Sequence, residues 1–76
     1  KNMAVPCRAC GYIKIRNPTE YDFFQDYCFA KKFDYCVRNN RFYMFGLKQA
    51  AELLAVLVDS GITGVKFVNI ECGRCC

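Results

Sequence analysis

The sequence has no histidine and no tryptophan, only two prolines and five glycines, and no block of like charge. Without histidine the chain lacks the commonest metal ligand and the side chain best suited to proton transfer near neutrality. Acid–base work would fall to carboxylates, yet Glu20, Asp22 and Asp26 read as the solvated first turns of a helix, and Asp34, Glu52, Asp59 and Glu71 show no spacing that pairs them. Catalysis is therefore not expected. The longest apolar run, residues 53–58, falls far short of the ~20 residues a membrane-crossing helix needs. A net charge of +4 scattered along the chain implies solubility and a mild attraction to anionic surfaces. Pro18 in the middle of Asn17-Pro18-Thr19 blocks what would otherwise be a glycosylation sequon.

What the chain does have is cysteine: seven in 76 residues. A domain of this size is only marginally stabilised by its core, so a disulfide, a metal or a partner usually contributes. This density in a short chain signals a disulfide scaffold and an oxidising compartment. The first residue is Lys1 rather than methionine, as expected of a mature product released from a precursor. A secreted, extracellular protein is the expectation, with residues 1–76 forming one small domain.

The pattern along the chain predicts six elements. Residues 5–16 are extended, with Ile13 and Ile15 alternating against Tyr12, Lys14 and Arg16. Thr19-Glu20-Tyr21-Asp22 has the form of a capping box, opening a helix that runs to about Lys32 and buries Phe23, Phe24, Tyr27 and Cys28. Two strands, 35–38 and 41–45, flank Asn39-Asn40, a pair that tolerates the positive φ of a tight hairpin. A second helix follows Gly46, with Leu47, Ala50, Ala51, Leu54, Leu57 and Val58 on its buried face and Gly61 placed to end it. Residues 65–72 give a last strand. The order βαββαβ is that of an α+β, two-layer ferredoxin-like sandwich with an antiparallel sheet, here stabilised by disulfides. In that topology the first and last strands are neighbours, which brings Cys7 and Cys10 toward Cys72 and Cys75.

Three chemistries could use these thiols. Two bridges between the terminal strands plus Cys28–Cys36 would engage six cysteines and leave one of Cys75 and Cys76 over, although six cysteines allow 15 pairings and spacing does not choose among them. A four-thiolate zinc site would use Cys7, Cys10, Cys72 and Cys75, and Cys7 to Tyr12 resembles the knuckle of rubredoxins and zinc ribbons. Redox catalysis by Cys7 and Cys10 is disfavoured, because no helix follows to lower a thiol pKa.

The layout is similar to that of secreted α/β-sandwich killer toxins of fungi and the cysteine-rich fungal effectors that share their fold. The likeness rests on Cys7 and Cys10 near the first strand, Cys28 in the first helix, Cys36 near the second strand and Cys72 closing the last. It implies a binding protein, effector or toxin-like, with an unknown protein or cell-surface target, no cofactor and no shared active-site motif. Residues 40–45, Asn-Arg-Phe-Tyr-Met-Phe, resemble the aromatic third strand of an RNA-recognition motif, the mark of an alternative reading as an RNA-binding sheet module. These aromatics read first as packing residues, and nucleic acid is not the expected partner. Leu53 and Val56, on the flanks of the second helix, are candidates for contact with a target or a second copy, and the sheet face bearing Tyr12, Lys14 and Arg16 is the alternative.

Overall fold

The computed structural model describes residues 8–70, a four-stranded antiparallel sheet and two helices. The elements are β1 (Gly11–Lys14), α1 (Pro18–Lys31), β2 (Tyr35–Arg38), β3 (Arg41–Met44), α2 (Leu47–Asp59) and β4 (Phe67–Asn69). The sheet runs β2-β3-β1-β4. Asn39 and Asn40 both take positive φ, at 52° and 61°, which gives the β2–β3 hairpin the twist its strands require.

α1 starts earlier than its capping-box pattern suggests. Asn17, extended at φ −163°, is the cap: its side-chain oxygen accepts from the Glu20 backbone N–H at 2.9 Å, and Pro18 fills the first helical position, where no N–H is missed. Thr19 is thus inside the helix. Lys32, in the left-handed conformation, closes the other end.

Both helices pack on one face of the sheet. The strand register pairs Ile13 with Phe42 and Gly11 with Met44, so these positions share a face, and Ile13, Phe42 and Met44 are fully buried against Phe24 and Cys28 of α1 and Ala50, Leu53 and Leu57 of α2. Phe42 is held between two rings, edge-on to Phe24 at 5.4 Å and stacked on Tyr35 at 4.8 Å. α2 is rotated relative to the expected face: Leu53 is in the core, whereas Leu47 and Val58 are 56% and 64% exposed and Ala51 also faces water. Eight of the nine residues from 50 to 58 are apolar, so several stripes fit helical spacing equally well and packing chose among them.

Gly11 sets the distance between β1 and β4. A Cβ there would lie 2.3 Å from the Val68 carbonyl oxygen and 2.5 Å from the Phe67 ring, so only glycine allows this approach. The ladder extends beyond β1 and β4, since the Ile70 N–H donates to the Cys10 carbonyl at 2.8 Å.

Candidate functional site: the sheet face opposite the helices

Alternation along each strand puts every second side chain on the face away from the helices. Register then sorts them into two rows across the sheet. Cys36, Tyr43, Tyr12 and Val68 form one row, through the pairs Cys36–Tyr43, Tyr12–Tyr43 and Tyr12–Val68. The other is wholly cationic: Arg38 opposes Arg41, and Arg41 opposes Lys14. Continuing the β1–β4 register one place beyond Ile13–Phe67 adds Lys66 beside Lys14, and both line a groove of about 220 Å³ together with Arg16, Gly64, Val65 and Val68. Three strand cations and Lys66, just before β4, therefore stand side by side over about 14 Å at the usual strand spacing.

The row is supported by its neighbours. The Arg41 guanidinium lies over the Tyr12 ring, 4.3 Å from its centroid, and donates to the Tyr43 hydroxyl at 3.4 Å. Tyr12 and Tyr43 pack at 5.4 Å, and Tyr43 is fully buried. Lys14 and Lys66 are exposed and have no carboxylate partner among the described residues. Like charges directly opposite one another cost stability, so Lys14 between Arg41 and Lys66 is not accounted for by folding, whereas Arg38 is itself engaged.

A clamp fixes the end of the row. Arg16 Nε donates to Glu20 Oε1 at 3.1 Å and to Oε2 at 3.0 Å, while Nη2 donates to Oε2 at 2.5 Å and to the Thr63 carbonyl at 2.7 Å. Glu20 is buried rather than solvated, a role its place in a helix's first turn did not suggest, and the guanidinium holds its carboxyl below the ordinary value of 4.5. Gly64, at φ +80°, leaves room for the guanidinium, since a Cβ would come within 2.9 Å of Arg16 Nη1. The clamp joins the end of β1, the start of α1 and the loop before β4. A wider groove of about 520 Å³ lies at the start of α1, but its one charged lining residue is this same Arg16.

The remaining sites expected from the sequence are distributed differently. Cys10, Cys28 and Cys36 are unbridged. Cys28 lies in the core under the helices, where burial pushes its thiol up to about 11, so it stays protonated at neutral pH. Cys36 is on the opposite face of the sheet beside Tyr43, so the expected Cys28–Cys36 bridge would have to cross the sheet and is not formed. Cys7, Cys72, Cys75 and Cys76 lie outside the described residues, and so do three of the four thiols of the zinc alternative. Leu53 is fully buried and Val56 half-buried, so Leu53 packs the core and is not available to a partner. In the segment resembling an RNA-recognition strand, Phe42 and Met44 face the helices and Tyr43 is buried, as packing residues.

The cationic row was not anticipated, because its members are spread from residue 14 to residue 66. Its signal was nonetheless present: a hairpin centred on Asn39-Asn40 must set Arg38 opposite Arg41. No protein-family model, curated protein or solved structure matches the chain.

Proposed function

We propose that this protein is a non-catalytic binding module that attaches to an anionic target through the row Arg38–Arg41–Lys14–Lys66. The observation carrying this reading is the alignment of four cations on a helix-free face, with Lys14 and Lys66 unpaired by any described carboxylate. Aligned cations act together on a polyanion, attracting it at long range and releasing its counterions on contact.

The scaffold is a secreted, cysteine-stapled sandwich of ferredoxin-like type, comparable in layout to fungal killer toxins and effectors. The element order, the strand order β2-β3-β1-β4 and the packing of both helices on one face support the sandwich part of that reading. The density of seven cysteines in 76 residues is what supports the disulfide part of this reading. Intact mass before and after reduction counts those bonds, and a fully reduced native protein would remove this part of the reading.

Titration with inorganic polyphosphate, followed by amide chemical shifts, tests the binding role. Shifts should concentrate at Tyr12, Lys14, Arg41 and Lys66. Shifts confined to Lys32 and Lys48 on the helices would locate the surface elsewhere.

A further inference from the structure

We infer that the occupant of the cationic row is a linear sulfated polysaccharide, laid across the strands. This rests on the binding role proposed for that face and names the chemistry of its ligand.

Charge complementarity demands a polyanion, and the aromatic row beside the cations decides which kind. Single-stranded nucleic acid is held by stacking its bases on exposed rings. Neither tyrosine here offers a free ring for that purpose: Tyr43 is fully buried, and the Arg41 guanidinium already covers a face of Tyr12. Duplex nucleic acid is read most often by a helix that enters the major groove, and both helices lie on the other face of the sheet. An anionic bilayer would be gripped by large apolar side chains among the cations, whereas Val68, 43% exposed, is the one aliphatic residue in the row next to them. A sulfated polysaccharide asks for none of these features. It presents negative groups along a line, has no bases to place and can be held by charge alone.

The line of cations suits a chain that crosses the strands. Its four members stand at successive strand spacings of about 4.8 Å, and it ends in the groove where Lys14 and Lys66 meet the clamped Arg16. Arg41 is fixed by its ring contact and Arg16 by its carboxylate, so these two guanidinium groups lose little freedom on binding. Lys14 and Lys66 supply charge that no described carboxylate pairs.

The test compares four probes against the full chain at equal ionic strength: highly sulfated heparin, the same polysaccharide desulfated, oligo(dT), and vesicles containing phosphatidylserine. Two double variants accompany it, Lys14→Glu with Lys66→Glu on the sheet face and Lys32→Glu with Lys48→Glu on the helices. Each pair lowers the formal net charge from +4 to zero, so they differ only in position. Circular dichroism verifies folding, and Lys14→Gln with Lys66→Gln replaces the first pair if the acidic one unfolds.

Heparin should bind most tightly and the desulfated chain should bind at least tenfold more weakly. The sheet-face pair should weaken heparin binding by more than tenfold, and the helix pair by no more than twofold. Contacts by Arg41, Lys14 and Lys66 imply a loss of roughly twentyfold between 50 and 200 mM salt, by the counterion rule for single-stranded polyanions. Tighter binding to oligo(dT) or to vesicles, lost in the sheet-face pair, would overturn the polysaccharide and leave the face as the binding surface. Binding to none of the probes, or equal loss from both pairs, would overturn the binding role of the face itself.

Discussion

The two sides of this molecule handle charge in opposite ways. On the helix side, cations and acids are mixed and partly joined: Lys31 pairs with Glu52 at 3.2 Å, and Glu52 also accepts from the Tyr27 hydroxyl at 2.5 Å, which pushes the tyrosine up to about 12. On the sheet side the row across the strands is all cation. Cross-strand neighbours of one sign repel, whereas opposite signs attract. The helix side therefore carries the charge pattern of a solvated surface, whereas the sheet side carries a pattern that stability alone would disfavour. That contrast, more than the net charge, is what supports the binding role proposed for the sheet face.

The contrast can be broken most severely at Gly11. Replacing it with alanine should force β4 away from β1, because the added carbon would collide with the Val68 backbone and the Phe67 ring. Overpacking of this kind costs about 3 kcal/mol. Thermal unfolding should show the loss, and hydrogen exchange should show it concentrated at Phe67 to Asn69. A variant that melts like the parent would mean that the two strands can separate without penalty. Displacing β4 would also remove Lys66 from the row, so polyanion binding should fall even below the melting transition.

An intermediate effect is expected at the clamp that ties the two sides together. The carboxyl of Glu20 is held below 4.5 by Arg16 hydrogen bonding, against the opposing effect of burial. Its folded pKa lies below its unfolded one, so the clamp's contribution is fully present at neutral pH and is lost as pH falls through the depressed value. Stability should consequently drop on acidification below about pH 4.5, the carboxyl's ordinary value. Glu20→Gln should lower stability at pH 7 and flatten that acid limb. An acid limb of unchanged steepness in the variant would show that other carboxylates dominate it.

The smallest effect is the most diagnostic. Lys14→Thr should stabilise the fold by about half a kcal/mol, because it relieves repulsion from Arg41 and Lys66 and places a good strand former in β1. Lys48→Thr on the helix side should have no such benefit. Chemical denaturation of the two variants side by side makes the comparison, and destabilisation by Lys14→Thr would mean that the row contributes to folding.

Local sequence signals were sufficient for the order of elements. Asn39-Asn40 fixes a hairpin through its own backbone preferences, Gly61 with φ +83° ends α2 through its own, and the alternation around Ile13 marks a strand without reference to anything distant. The cap of α1 is an instructive miss, since Asn17 and Thr19 both have capping side chains and two residues separate the alternatives. The face of α2 was legible only in part, at Ala50, Leu54 and Leu57, because a helix apolar on nearly every side takes its rotation from the sheet beneath it. The separation of Cys28 from Cys36 depended on the phase of β2, which a four-residue strand does not declare.

By itself, then, the sequence determined which segments are helix and strand, because those preferences act over a few residues. It also determined that the chain would carry excess positive charge. Only the tertiary structure decided where that charge stands. Lys14, Arg38, Arg41 and Lys66 are separated by up to 52 positions, counting from 14 to 66, and become neighbours only through three strand pairings. Register is a long-range property: shifting one strand by a single residue turns all of its side chains to the other face, and the row would vanish. The burial of Ile13, Phe42 and Met44 beneath the helices holds that register, so the hydrophobic core on one face determines the cationic line on the other.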